Sequence, residues 1–76
     1  MAVKEDIRIE IEIRDVDTTD VEEIEFAVST VEECAASARA EINMDMLSAE
    51  DGTVVMEITG YFAEVGAFMR RWESEL

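Results

Sequence analysis

Carboxylates are the most abundant reactive groups in this chain, so they are the first place to look for chemistry. Glu10 and Glu12 fall on one side of an alternating stretch, and Asp45 and Glu57 flank an Asp-Gly turn. Paired carboxylates cleave glycosides when held about 5–10 Å apart beside a concave sugar site. A chain of 76 residues offers little concavity, and with 20 Asp and Glu some pairs must arise by chance. The stretch Asp15-Val16-Asp17-Thr18-Thr19-Asp20 invites a calcium reading. An EF-hand loop needs Gly at its sixth position and Glu at its twelfth, and those positions hold Asp20 and Phe26. A solvated loop ending in a helix cap is the reading it supports. Cys34 has no histidine anywhere in the chain to activate it, and its neighbours Glu32 and Glu33 disfavour a thiolate. It reads as a small buried hydrophobe. Gly52, Gly60 and Gly66 are isolated, so no phosphate-cradling loop exists. No catalytic, metal or cofactor site is expected.

The charge balance narrows the partners. Six Lys and Arg against 20 Asp and Glu give a net charge of −14. Such a surface repels nucleic acid and anionic membranes. No apolar run approaches the roughly 20 residues that span a bilayer, and Met1–Asp6 lacks the layout of a signal peptide. Hydrophobic residues make up 49%, too many for a disordered acidic tail. One small folded domain over residues 1–76 is expected. A single cysteine excludes an internal disulfide and suits a reducing, cytoplasmic setting. Small domains gain stability from disulfides, metals or partner subunits; here the partner subunit is what remains. Two accounts of the acidity compete. A halophilic host fits the single Lys4 against five Arg, and fits the 14 Glu against 6 Asp less well. A basic partner drawn by long-range electrostatics is the other.

Ile7, Ile9, Ile11 and Ile13 alternate with Arg8, Glu10, Glu12 and Arg14. That period of two in β-branched residues predicts a strand. Asp20 and Glu23 form a capping-box pattern. Val21, Ile24, Val28, Val31, Ala35 and Ala38 then recur at helical spacing. Ala40, Ile42, Met44 and Met46 alternate with Glu41, Asn43 and Asp45, and Asp51-Gly52 is a hairpin dipeptide. Residues 53–59 should therefore pair antiparallel with 41–47. Phe62, Val65, Met69, Trp72 and Leu76 predict a C-terminal helix, with Trp72 packed on the strand isoleucines and Tyr61 and Phe68 widening its core face. The expected fold is α+β, order β-α-β-β-α: a three-stranded mixed sheet with two helices on one face. The first two strands would run parallel if adjacent. A rival reading makes residues 22–28 a second strand, with Thr30 capping a helix that runs to about residue 50. That gives a β-β-α-β-α order closer to a β-grasp.

The first order resembles that of a KH domain and of the small dimerising subunit of the KEOPS tRNA-modifying complex. The chain has neither the GxxG of the first nor a Leu-Arg…Asn-Ser-like motif in its last helix, so the resemblance implies topology alone.

Phe26 stands out. On the first helix it lies far from the apolar stripe, among Glu22, Ser29 and Glu33. An aromatic there suits a contact anchor. The expected function is a non-catalytic protein-interaction or oligomerisation module with Phe26, Glu22, Ser29 and Glu33 at its interface. Self-association through helix surfaces is expected in preference to pairing of the first strand, because a two-fold axis at Ile11 sets Glu10 against Glu12. The alternative is an acidic inhibitor, of immunity, antitoxin or phage anti-defence type, that targets a basic nucleic-acid-handling protein.

Overall fold

A computed structural model describes residues 6–74. They form β1 (Asp6–Ile13), α1 (Val21–Ala38), β2 (Asn43–Glu50), β3 (Thr53–Tyr61) and α2 (Phe62–Ser74). This is the β-α-β-β-α order of an α+β fold; the rival order, with a strand at 22–28, does not form. The expectations for Leu76 and for the first five residues lie outside the described part.

The sheet is antiparallel throughout, not mixed. Its strand order is β1-β3-β2, so the two strands that would have paired in parallel are not neighbours. A two-residue turn fixes β2 beside β3, which leaves the other side of β3 for β1. The central place also suits β3, whose Val54, Met56 and Ile58 are all buried. At the turn, Asp51 and Gly52 both have positive φ, at 52° and 79°. A tight I′ hairpin requires this, and Asp-Gly supplies it. With so short a turn, pairing continues to Glu50 opposite Thr53. The second strand accordingly spans 43–50 instead of 41–47, and a bulge at Leu47 absorbs the shift.

Register divides the sheet into two faces. Ile7, Ile9, Ile11 and Ile13 oppose Gly60, Ile58, Met56 and Val54, and Met44 and Met46 oppose Ile58 and Met56 from the other side. This face carries the helices. Gly60 packs closely there: a Cβ would lie 3.2 Å from Ile42 Cγ2 and 3.3 Å from the Glu41 carbonyl oxygen, so both neighbours would have to give slightly. The other face carries Arg8, Glu10, Glu12, Glu57 and Asp45 and has no layer over it.

The helices bury narrower and differently centred stripes than the spacing predicts. In α1 the buried residues are Ala27, Val31, Cys34 and Ala35. Three of these four are small, which lets the backbone approach its neighbours. Val21, Ile24 and Val28 are displaced to one flank, and Val21 is exposed. In α2 the buried residues are Val65 and Phe68, whereas Phe62 is 72% exposed. Phe68, not Trp72, is the anchor of this helix. Trp72 is partly buried and stacks on Phe68 with ring centroids 6.0 Å apart. The Cys34 thiol lies in the core as expected and points at the Phe68 carbonyl oxygen at 3.9 Å. Among the described residues no polar or charged residue is buried.

Candidate protein-interaction site

The loop before α1 sets the position of the site. The Val16 N–H donates to the Gly52 carbonyl, and the Gly52 N–H donates to Thr18 Oγ1. These two bonds tie the loop to the β2–β3 turn. Asp17 accepts from the N–H and hydroxyl of Thr19 through the same carboxylate oxygen. Asp20 then caps α1, accepting from the Glu22 N–H at 2.9 Å. The return arm of the expected capping box goes elsewhere: Glu23 accepts from the Asp17 N–H at 2.8 Å. At its far end α1 closes with Arg39 in the left-handed region, φ 54°, and with Ala40 N–H bonded to the Ala35 carbonyl. Both ends of the helix are thus fixed, and so are the faces it presents.

Glu22, Phe26, Ser29 and Glu33 follow one another at spacings of four, three and four residues, so they share one stripe of α1. All four are exposed, and Phe26 is 75% exposed. Beside this stripe a recess of about 510 Å³ is lined by Ile13, Val16, Phe26 and Ala27, and ringed by the carboxylates of Asp15, Asp20, Glu22 and Glu23. No Lys or Arg occurs between Asp15 and Ala38. The recess therefore combines an apolar floor, an aromatic ring and uncompensated negative charge. A cationic side chain with an aliphatic stem fits that combination, by ion pairing at the rim and by contact of the cation with the ring.

Asp17 stands at the edge of this region. The Thr19 hydroxyl, and then the Thr19 N–H, hold its carboxyl below the ordinary value of 3.8. A carboxyl lowered by folding contributes stability above its unfolded value and loses it as pH falls through the folded value. Thr19→Val should return the Asp17 midpoint towards 3.8 in a side-chain NMR titration. It should also reduce stability at neutral pH by an amount that disappears in strong acid. An unmoved midpoint in the variant would show that the hydroxyl bond does not govern the loop.

The carboxylate pairs lie elsewhere. Glu57 sits between Glu10 and Asp45 in register, making a row of three acids across the open face of the sheet. Arg8 reaches Glu57 at 3.5 Å. The row is on a face without a covering layer and not in the recess beside Phe26. Among the described residues no group of three or more His, Cys, Asp or Glu is placed to hold a metal ion, and no helix is long and apolar enough to cross a membrane.

Sequence reasoning missed a second surface. Val21, Ile24, Val28 and Met46 line a groove of about 690 Å³ between α1 and β2, with Glu25, Ser29 and Glu32 on its rim. The apolar arc of α1 is wider than one packing face, so spacing alone does not show which part of it meets the core.

Fold and site together define a small α+β domain with an antiparallel three-stranded sheet, two helices on one face and an acidic, aromatic-centred helix surface. No protein-family model, curated protein or solved structure matches the chain.

Proposed function

We propose that the chain is a non-catalytic protein-interaction module that engages a basic partner through the outer face of α1, with Phe26 as its anchor. The observation that carries this reading is the exposed Phe26 ring beside an apolar recess whose rim holds four carboxylates and no cation. Aromatic residues seated among polar neighbours are the usual energetic centres of protein contacts. The same face is a poor self-contact, because a two-fold axis along it opposes Glu22 and Glu33 with their own copies. Charge complementarity instead selects a partner rich in Arg or Lys.

An acidic inhibitor of a basic nucleic-acid-handling protein is the specific form of this activity that the charge distribution favours. The cations at Arg8, Arg14, Arg39, Arg70 and Arg71 all lie outside the segment 15–38 that presents Phe26. Such an inhibitor competes with nucleic acid, so its target should bind either this chain or a duplex but not both.

The test uses a synthetic amphipathic peptide of leucine and arginine, with a counterpart in which glutamate replaces each arginine. Amide shifts on adding the arginine peptide should concentrate at Glu22, Phe26, Ala27 and Thr30, and Phe26→Asp should weaken binding at least about tenfold while the melting curve is retained. Equal binding of the glutamate peptide, or shifts spread evenly over the sheet, would overturn the reading.

A further inference from the structure

β2 is an edge strand, and it has few of the features that usually protect an edge. Natural edges are blunted by Lys, Pro, inward-pointing charge or a bulge, and of these β2 has the bulge at Leu47. β2, Asn43-Met44-Asp45-Met46-Leu47-Ser48-Ala49-Glu50, has no Lys, Arg or Pro. Met46 and Leu47 at its centre are 49% and 50% exposed. The apolar groove of Val21, Ile24 and Val28 runs along the same flank and includes Met46 in its lining. Edge and groove are therefore one continuous surface, which shares no lining residue with the recess beside Phe26 and meets the Phe26 stripe only at Ser29.

The bulge decides what this edge can pair with. Residues opposed in an antiparallel ladder point to the same face of the sheet. In a regular strand a two-fold axis normal to the sheet must then pass through a residue. Here Leu47 is the extra residue. Met44 and Met46 lie on the helix face with Ile58 and Met56, and Ala49 lies there with Val54. Asn43, Asp45, Ser48 and Glu50 lie on the open face with Thr59, Glu57, Val55 and Thr53. An axis through Met46 would set Met44 of one face against Ser48 of the other. An axis between Met46 and Leu47 matches faces at every pair outside the bulge. It sets Met44 against Ala49 of a second copy, Asp45 against Ser48, and Asn43 against Glu50.

In that register each edge carboxylate meets a hydrogen-bond donor: the Ser48 hydroxyl for Asp45 and the Asn43 amide for Glu50. No acid opposes an acid. The β1 edge behaves oppositely, since an axis at Ile11 sets Glu10 against Glu12 and Arg8 against Arg14. Near the β2 axis Met46 of each copy faces Leu47 of the other, and the two grooves meet so that Val21, Ile24 and Val28 of each copy approach the other. We propose that the β2 edge is the contact between two copies of this chain, joining their sheets into one six-stranded antiparallel sheet about a two-fold axis between Met46 and Leu47. The Phe26 recess stays open on both copies, so this inference does not rest on the partner assigned to that recess.

The experiment is sedimentation of the full chain at high micromolar concentration, from low to molar salt. A dimer is expected whose association strengthens as salt screens the charge of −14 on each copy. Leu47→Lys places two cations at the axis and should weaken the dimer at least about tenfold, with the monomer still folded by circular dichroism. A second measurement does not depend on that variant. In a Cys34→Ala background, Asp45→Cys chains mixed with Ser48→Cys chains should form a mixed disulfide dimer on mild oxidation, and neither chain alone should do so. A monomer at molar salt would overturn the proposal. So would a dimer that survives Leu47→Lys, forms no mixed disulfide and is lost with Phe26→Asp, since the copies would then meet through the helix face.

Discussion

Phe68→Ala is expected to lower the melting temperature by more than about 10 °C, because truncating a buried Phe costs about 3–5 kcal/mol and each kcal/mol moves a domain of this size by about 4–8 °C. The side chain is fully buried, stacks on Trp72 and lies where α2 meets α1 and the sheet. A domain with about 0.05–0.15 kcal/mol of stability per residue has little left after such a loss. Trp72→Ala should cost less, because Trp72 retains solvent contact and leaves no enclosed cavity. Thermal melts of the two variants by circular dichroism check the order. Equal losses, or the larger loss in Trp72→Ala, would mean that the tryptophan is the anchor and that α2 is rotated about its axis from the position described.

The second large effect is a rise in melting temperature with salt. In the sheet, Glu57 has a carboxylate on either side in register, and like charges directly opposed across strands are destabilising. The α1 surface adds Glu22, Glu23, Glu25, Glu32 and Glu33 with no cation on the same helix. Salt screens this repulsion over a Debye length of about 8 Å near 0.15 M and about 3 Å at 1 M. Little attraction is lost in exchange, since the ion pairs Arg8–Glu57 and Arg14–Glu12 have Arg side chains 71% and 76% exposed, and exposed pairs contribute little. The melting temperature should therefore climb steadily from low to molar sodium chloride. Running the series at low protein concentration separates this effect from dimer formation. A flat response would show that self-repulsion is not a significant cost to this fold.

The element order was legible because each element carries an unambiguous local signal. Four isoleucines alternating with charges make β1, Asp51-Gly52 makes the hairpin, and Asp20 opens α1. Sheet type was not legible, because strand adjacency depends on which strand takes the centre, and no local pattern encodes that choice. Helix rotation was only half legible. In α1 and α2 more apolar residues compete for the core than it can take, and packing selects Ala27, Cys34 and Phe68 over Val21, Ile24 and Phe62. The exposure of Phe26 was legible because it stands alone among acids, where no packing alternative competes. The groove by β2 was hidden, because Val21, Ile24 and Val28 at helical spacing look the same whether they face the interior or a flank.

The pairing of β1 has a consequence for the chain before it is folded. β1 bonds only to β3, from Ile13 opposite Val54 to Asp6 opposite Tyr61. A ribosome adds about 5–20 residues per second, N-terminus first. Ile7, Ile9, Ile11 and Ile13 therefore emerge seconds before the strand that will cover their edge exists. A run of four isoleucines in an extended segment is a template for aggregation between nascent chains. Arg8, Glu10, Glu12 and Arg14 interrupt it at every second position, which is how gatekeeping charges keep such segments apart. On the finished sheet these side chains lie on a bare face, where the ion pairs of Arg8 and Arg14 are exposed and Glu10 adds to the row of acids. Before β3 exists, the same charges oppose the pairing of one β1 with another.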